Sequence, residues 1–225
     1  PSGRPLAGGS RRGTRVTPAP RGRGTRIVLL CEGDSEEIAA KHFLRPQLEA
    51  DGLKAVGLHP INLNAKIEDI FTKTPRFRKD GDVVAVFTLV DLYGLNRVPF
   101  PVNATVEQKV EAARAWLQKG ASDVDPDFFH PHLAVHDLEA WLLAEGASLA
   151  KRLNHRIEPD PRAEERDFDR PPNKQVNDLF LKHRDEGYRK TVDGPPLYKN
   201  LAFGPVYKSC LFFRQFYDDL KSVAE

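Results

Sequence analysis

The chain has 225 residues, 40% hydrophobic and 29% charged, which is typical of one large globular domain or of a domain with an appendage. No apolar run approaches the roughly 18 residues that a membrane-spanning helix needs, and no signal-peptide core is visible, so we expect a cytoplasmic protein without a membrane partner. The two cysteines, Cys31 and Cys210, exclude a disulfide framework and a cysteine-based zinc finger.

The net charge of +2 is distributed unevenly along the chain. Residues 1–26 contain seven arginines and no acid, so the rest carries 27 basic and 32 acidic residues, a net charge of −5. Ten of these 26 residues are Gly or Pro, which predicts a disordered basic arm over residues 1–25. Arg21 and Arg23 lie in an Arg-Gly-Arg-Gly run that resembles RNA-binding tracts, so the arm either contacts nucleic acid or is a solvated tail.

Apolar runs and helical periodicity alternate between residues 26 and 155. In chain order they predict a strand over 27–31, a helix over 34–50 opened by a capping box of Asp34 and Glu37, an extended segment over 53–63, a helix over 65–78 broken near Pro75, a strand over 83–90, a helix over 105–119 capped by Thr105, a strand over 132–136 and a helix over 138–153. Such alternation predicts an α/β fold with a mostly parallel sheet flanked by helices.

The character of the chain changes after residue 155. Residues 156–173 hold ten charges and four prolines, which predicts a surface loop. Helices are predicted over 173–184 and 206–223, and the second places several apolar side chains on one side, namely Val206, Cys210, Phe213, Tyr217 and Leu220. We therefore divide the chain into the arm (1–25), an α/β core (26–155) and a charged loop with a C-terminal helical lobe packed on that core (156–225).

Acidic residues stand at or just beyond the ends of three predicted strands. Glu32 follows the first, Asp91 follows the third, and Glu139 lies shortly after the fourth. Ligands of parallel α/β sheets bind at this edge, and convergent carboxylates suit a hard cation such as Mg²⁺. The helix that begins near Asp34 directs its N-terminus to the same edge, which favours phosphate. Acids are also common in turns after strands, so these residues are alternatively helix caps and turn residues.

The histidines suggest a competing zinc site. His130, His132, His136 and Glu139 form a superficially similar ligand set, but the helical His-Glu-x-x-His arrangement is absent. Histidines packed in or beside the core are the commoner outcome. Neither a Gly-x-Ser-x-Gly motif nor a Walker phosphate-binding loop is present, so we expect neither serine-based catalysis nor ATP hydrolysis by this chain.

Several segments resemble, in order, motifs of the DUF4276 family, a branch of the Toprim fold. They are Leu-Cys-Glu-Gly-Asp-Ser-Glu at 30–36, Val-Asp-Leu-Tyr-Gly-Leu at 90–95 with Pro-Phe-Pro at 99–101, His-Asp-Leu-Glu-Ala-Trp-Leu at 136–142, and Pro-Pro-Asn-Lys at 171–174 with Tyr-Arg-Lys-Thr at 188–191. The resemblance extends over residues 26–221.

The resemblance implies a Toprim-like nuclease that depends on Mg²⁺ or Mn²⁺. It places Glu32 as general acid/base, Asp91 as principal metal ligand, Glu139 as the third carboxylate and Glu36 near the same edge. The Toprim motif is Asp-x-Asp, whereas Tyr93 stands at its second position here, which puts two-metal chemistry in doubt. The family further implies a toxic effector of bacterial anti-phage defence, regulated by an ATPase of the AAA/ABC class, and a homo-oligomer is compatible with it.

A nuclease with an acidic body needs basic groups to bind the phosphodiester backbone. The candidates are Lys174, Arg189 and Lys190, together with Arg21 and Arg23 of the arm; Tyr93 and His136 are expected at the edge of the site. Each lysine is alternatively part of a solvated helix surface. Two other functions remain open: a non-catalytic subunit that binds nucleic acid or the ATPase, and a phosphotransfer enzyme acting on a small molecule.

Overall fold

The computed structural model describes residues 25–135, 137–165 and 170–225. The arm with Arg21 and Arg23, and also His136, lie outside the described residues, apart from Thr25, which begins the first strand. Within the described residues, no helix combines the length and the apolar character needed to cross a bilayer.

The centre of the molecule is a parallel sheet. Its strands are β1 (Thr25–Cys31), β2 (Val56–Asn62), β3 (Val83–Asp91), β4 (Phe129–His130) and β5 (Leu133–Ala134). The strand order is β2-β1-β3-β4, and every pairing is parallel. β4 pairs with residues 86–87 of β3, and β5 pairs with residues 90–91 further along the same strand. The predicted mostly parallel sheet is therefore confirmed.

The predicted strand over 132–136 lies earlier in the chain and is interrupted. Pro131 separates β4 from β5 and has no N–H to donate to the sheet. The hydroxyl of Thr88 occupies this gap: it accepts a hydrogen bond from His132 N at 3.0 Å and donates one to His132 O at 2.9 Å. A side chain of β3 thus replaces the missing ladder bonds.

Helices cover both faces of the sheet. Residues 34–153 form α1 (Asp34–Ala39), a π-helical turn (Ala40–Leu44), α2 (Arg45–Ala50), α3 (Asp69–Phe77), α4 (Val106–Gly120), α5 (Glu139–Glu145) and α6 (Ala147–Leu153). The Thr105 cap is confirmed, since its Oγ1 accepts a hydrogen bond from Gln108 N at 3.3 Å.

Two predicted features of these helices are wrong. Pro75 lies inside α3 without breaking it, because the proline removes a single N–H donor and the helix ends two residues later. The predicted helix over 138–153 is divided at Gly146, whose φ is +69°. A Cβ there would lie 3.2 Å from the carbonyl oxygen of Ile157, so the chain turns where only glycine fits without strain.

The C-terminal region contains more helices than predicted. They are α7 (Pro172–Arg184), α8 (Lys190–Asn200), α9 (Phe203–Ser209) and α10 (Leu211–Ala224). The predicted helix over 206–223 is two helices, because the backbone of Cys210 is extended and α10 starts anew after it. The sequence prediction missed α8, which contains Pro195 and Pro196 and is held by packing against α1.

Alternate residues of the strands face two apolar clusters. Ile27, Leu29 and Phe87 belong to the cluster that includes side chains of α5 to α10, whereas Val28 and Val86 belong to the one that includes side chains of α3 and α4. The predicted α/β class, a parallel sheet flanked by helices with a helical C-terminal region, is therefore confirmed. The boundaries between arm, core and lobe stay a prediction.

Candidate active site

A cleft of about 360 Å³ opens at the carboxyl ends of β1 and β3. Its charged lining consists of five carboxylates, those of Glu32, Asp34, Glu36, Asp91 and Asp137, and the ammonium group of Lys190. The parallel register pairs Cys31 with Leu89, so the residues that follow the two strands emerge at the same edge. The remaining lining is Gly33, Ser35, Asn62, Asn64 and Ala65.

Glu32 is oriented by the backbone of the neighbouring strand. Its Oε2 accepts a hydrogen bond from Asp91 N at 2.8 Å. Its carboxylate also lies against Gly94, where an added Cβ would be 2.6 Å from Glu32 Oε1. Burial raises the pKa of Glu32, and the Asp91 N–H opposes that shift. The orientation of this carboxylate therefore depends on a backbone donor and on the absence of a side chain at residue 94.

Asp91 stands at the end of β3 with its carboxylate held in a tight turn. Its Oδ1 accepts a hydrogen bond from Tyr93 N at 2.9 Å. Burial first, and then the nearby carboxylates of Asp137, Glu32 and Glu36, raise the pKa of Asp91 to about 7. Tyr93, which stands where the Toprim motif has its second aspartate, thus donates its backbone N–H to Asp91, the first aspartate of the motif.

Glu36 connects the cleft to the start of α1. Its Oε2 accepts a hydrogen bond from Gly33 N at 2.9 Å, and burial raises its pKa to about 7. The predicted capping box of Asp34 and Glu37 is therefore shifted by one residue, because Gly33 is the N-cap and Glu36 occupies the third helical position. Asp34 instead accepts a hydrogen bond from Asn62 Nδ2 at 2.8 Å.

The sequence analysis did not select Asp137, although it lies in the same motif as Glu139. The parallel pairing of Asp91 with Ala134 carries the chain beyond β5 to the cleft, where Asp137 faces the other carboxylates. Its Oδ2 accepts a hydrogen bond from Asn173 N at 3.3 Å, and burial raises its pKa. The sequence signal that could have identified Asp137 was its position directly after the predicted strand over 132–136. The same criterion selected Glu32 and Asp91.

Glu139 lies behind the cleft rather than in its lining. It is 0% exposed, and neither of its carboxylate oxygens has a hydrogen-bond partner among the described residues. Lys190 Nζ stands 3.7 Å from Glu139 Oε1, and burial raises the pKa of Glu139. Burial lowers the pKa of Lys190, but the carboxylates of Glu139 and Asp137 reverse this, so that the pKa is raised overall. Lys190 thus remains a cation between Glu139 and the cleft.

The site holds a surplus of negative charge, with five carboxylic acids in the cleft lining and Glu139 behind it around one ammonium group. In the part of the chain that the structure describes, no three or more His, Cys, Asp or Glu side chains are arranged to hold a metal ion. Protein Mg²⁺ sites often use only one or two carboxylates together with water and substrate phosphate. The all-oxygen donor set and the pKa of about 7 at both Asp91 and Glu36 therefore fit a divalent cation that would offset this charge.

The predicted nucleic-acid-binding residues divide into two groups. Lys190 lines the cleft, whereas Lys174 is exposed in the first turn of α7. Arg189 is exposed beside Lys190 and forms an ion pair with Glu186 at 3.5 Å. The structure therefore brings one of the three predicted cations into the cleft.

Two histidines of the zinc hypothesis, His130 and His132, are engaged in other contacts. His130 Nδ1 and His132 Nε2 lie 3.0 and 2.8 Å from the same oxygen, Asp219 Oδ2. His132 Nδ1 lies 3.2 Å from a guanidinium nitrogen of Arg114, a donor only, so this imidazole is neutral and carries its proton on Nε2. His130 and His132 also stack on Phe87, as expected for histidines packed beside the core.

Comparisons with known proteins give one family and several distant structures. The C-terminal region of the Burkholderia pseudomallei OLD protein is 11% identical and matches 88% of this chain and 98% of its own, with a TM-score of 0.44. The C-terminal region of the Xanthomonas campestris pv. campestris OLD protein, phased with platinum, is 14% identical and matches 89% of this chain and 94% of its own, with a TM-score of 0.40. No curated protein matches the sequence.

A profile described as a domain of unknown function, DUF4276, matches residues 31–221. The matched region begins at the end of β1 and ends within α10, so it includes the cleft and the C-terminal helices. Because it spans most of the sequence, the chain belongs to the DUF4276 family.

Proposed function

We propose that this protein is a divalent-metal-dependent nuclease that cleaves phosphodiester bonds of DNA or RNA. The observation that carries the proposal is the cleft itself, where Glu32, Asp91 and Asp137 meet beside Lys190. Carboxylates suit a hard cation, and an ammonium group beside them suits a phosphate. The motif resemblance to Toprim nucleases supports the same chemistry.

Asp91 and Asp137 would hold the metal ion, since their carboxylates line one cleft and Asp91 is already oriented by Tyr93 N. Glu36, which lines the same cleft, and Glu139, which is buried behind it, stay predictions as further ligands. When bound, Mg²⁺ or Mn²⁺ would orient the phosphate and stabilise the developing charge on the leaving oxygen.

Glu32 would act as the general base. Its carboxylate lines the cleft and is oriented by Asp91 N, so it is placed to accept a proton from an attacking water. Lys190 would contact a non-bridging phosphate oxygen, and the buried carboxylate of Glu139 at 3.7 Å would position its ammonium group.

Cleavage of labelled single-stranded and duplex oligonucleotides tests this proposal, with Mg²⁺, with Mn²⁺ and with EDTA. We expect metal-dependent cleavage by the wild type, and a loss of about 10²- to 10⁴-fold in Glu32→Gln, the usual contribution of a general base. Asp91→Asn should raise the metal concentration needed for half-maximal cleavage. Asp123→Asn, which neutralises an exposed acid between α4 and β4 outside the cleft, is the matched control.

Two outcomes would contradict the proposal. Equal cleavage by the wild type and Glu32→Gln would exclude Glu32 as the base. Binding of nucleic acid without cleavage under any metal condition would instead favour a non-catalytic subunit, consistent with Tyr93 at the position of the second Toprim aspartate.

The biological role as a toxic effector of anti-phage defence, restrained by an AAA/ABC-class ATPase, is a further proposal that rests on the family resemblance alone. Expression in bacteria with and without such an ATPase tests it. We expect growth arrest by the wild type that Glu32→Gln relieves, and no growth difference between these two proteins would contradict the role.

A further inference from the structure

Lys190 reaches the cleft from a short linker between two helices. α7 ends at Arg184, where Asp185 turns the chain with a left-handed φ of +59°, and α8 begins at Lys190 itself. Residues 187–189 of the linker belong to no helix or strand. Among the described residues, the side chain of the N-cap residue, Arg189, makes no capping hydrogen bond. Contacts from elsewhere in the chain must therefore fix the direction in which Lys190 leaves the linker.

Asn177, in the middle of α7, holds the linker two residues before Lys190. Its Oδ1 accepts a hydrogen bond from Tyr188 N at 3.0 Å. The same oxygen favours glycine at residue 187, because an added Cβ there would lie only 2.8 Å from it. Asparagine is a poorer helix former than alanine or leucine, since its amide competes for backbone hydrogen bonds. The contact with the linker provides a tertiary reason for asparagine at this position of α7.

The side chain of Tyr188 holds the linker on the side of the cleft. Its ring packs against Phe180 of α7, with the centroids 5.3 Å apart. Its hydroxyl is buried, and burial first and then the charge of Glu139 raise the pKa of Tyr188. Glu139 is the carboxylate whose Oε1 lies 3.7 Å from Lys190 Nζ. The backbone and the ring of Tyr188 therefore fix the start of α8 against α7 and beside Glu139.

A second side chain holds the last residue of the linker. Asp193, in the first turn of α8, accepts a hydrogen bond from Arg189 N at 3.0 Å. The two residues before Lys190 thus both have their backbone N–H held by a side-chain oxygen. Asp193 also pairs with Arg152 and Arg184, whereas Asn177 is uncharged, so a substitution of Asn177 leaves those ion pairs in place.

We propose that Asn177 is a positioning residue of the candidate active site, which acts through the backbone of Tyr188 to hold the ammonium group of Lys190 between Glu139 and the cleft. This inference rests on the proposed nuclease function, in which Lys190 contacts a phosphate oxygen. Asn177 does not line the cleft, so its effect on a substrate passes through Lys190. A displacement of about 1 Å in such a group can cost about 10²-fold in rate.

Two pairs of variants change this contact from its two sides. Asn177→Leu keeps the size of the side chain and removes the acceptor, whereas Asn177→Asp keeps an acceptor oxygen at the same place. Gly187→Ala retains Asn177 and displaces it by the added Cβ, so it provides the test if loss of the acceptor prevents folding. Gly81→Ala is its matched control, because a Cβ there meets no atom within 4 Å.

The first measurement needs no nuclease activity. It is the rate at which acetic anhydride modifies Lys190 relative to the exposed Lys174, read by mass spectrometry of the two peptides. We expect this ratio to rise about two- to fivefold in Asn177→Leu and Gly187→Ala, the effect of losing a partly exposed ion pair. Asn177→Asp and Gly81→Ala should keep the wild-type ratio. An unchanged ratio in both Asn177→Leu and Gly187→Ala would overturn the inference.

The second measurement is a double-mutant cycle on cleavage with Mg²⁺. Asn177→Leu should lower kcat/KM by about 10- to 10²-fold, and Asn177→Asp should retain the wild-type value. In the background of Lys190→Gln, Asn177→Leu should cost nothing further, because the group that it displaces is gone. A loss of the same size in both backgrounds would assign Asn177 a purely structural role and refute the inference.

Cleavage by the wild type is scored separately, so the two proposals fail in different ways. A raised modification ratio of Lys190 in Asn177→Leu, in a protein whose wild type never cleaves, would refute the nuclease and leave the contact between Asn177 and the linker as the determinant of the position of Lys190. Metal-dependent cleavage by the wild type, combined with an unchanged ratio in the variants, would refute the role of Asn177 alone.

Discussion

Glu164 provides a stability prediction whose sign and size follow from the structure. The side chain is 5% exposed and accepts two backbone hydrogen bonds at the start of α10, from Phe212 N at 3.0 Å and from Phe213 N at 3.2 Å. Burial raises the pKa of Glu164 to about 7, although these N–H donors oppose the shift. The folded protein therefore disfavours the ionised form of this carboxyl group.

This pKa makes stability depend on pH in a defined direction. Between pH 4.5, the ordinary value for Glu, and about 7, Glu164 holds more protons in the folded chain than in the unfolded chain. Its contribution to the free energy of unfolding is therefore fully present below pH 4.5 and is lost as the pH rises through 7. At 1.36 kcal/mol for each pKa unit, the loss amounts to about 3 kcal/mol.

The substitution Glu164→Gln removes this pH dependence. The glutamine carbonyl oxygen still accepts a backbone hydrogen bond, and the side chain carries no charge at any pH. Urea unfolding at pH 4, 6 and 8 should show nearly equal stability of the variant and wild type at pH 4, and a variant more stable by up to about 3 kcal/mol at pH 8. The exposed neighbour Glu165 provides the control Glu165→Gln.

The comparison between variant and wild type isolates Glu164 from the other raised carboxyl groups, because Glu36 and Asp91 titrate in both proteins. A wild type that is the more stable protein at pH 8 would refute the reasoning. It would mean that the two N–H donors stabilise the carboxylate by more than its burial destabilises it.

Three further predictions concern the arm, the cleft and the buried carboxylate of Asp193. Deletion of residues 1–25 should weaken nucleic-acid binding and reduce its salt dependence, and an unchanged salt slope would show that the arm is a passive tail. Gly94→Ala should displace the carboxylate of Glu32, since the added Cβ would lie 2.6 Å from Oε1; we expect a lower kcat, whereas an unchanged kcat would contradict the placement. Asp193→Asn should lower the free energy of unfolding by about 3 kcal/mol in a urea titration, because it leaves two guanidinium groups without their buried partner; the exposed Asp178→Asn should cost less than about 0.5 kcal/mol, and equal effects would refute the role of burial.

Local sequence patterns predicted much of the fold. Continuous apolar runs identified β1 and β3, because strands buried on both faces have no polar side. The Thr105 cap located the start of α4, since capping is a local hydrogen bond. The failures occurred where distant contacts override local propensity: α8 contains two prolines and is held against α1, and the turn at Gly146 meets the backbone of Ile157.

The candidate site was partly predictable for the same reason. Glu32 and Asp91 follow strands that the sequence reveals, and a parallel sheet brings such residues to one edge. Asp137 was missed although it directly follows the predicted strand over 132–136, because Glu139 of the same motif was selected as the third carboxylate. The pairing of β5 with β3 brings Asp137 to the cleft, whereas Glu139 is buried behind it.

The sequence by itself determined a parallel α/β protein whose acidic residues collect at the carboxyl ends of the strands, because periodicity and turn chemistry are local properties of the chain. The tertiary structure alone decided that Asp137 lines the cleft, that Glu139 lies behind Lys190, and that Asp193 lies between Arg152 at the end of α6 and Arg184 at the end of α7. The physical reason is the packing of α8, which no local pattern encodes: it brings Lys190 and Asp193 against carboxylates and guanidinium groups from distant parts of the chain.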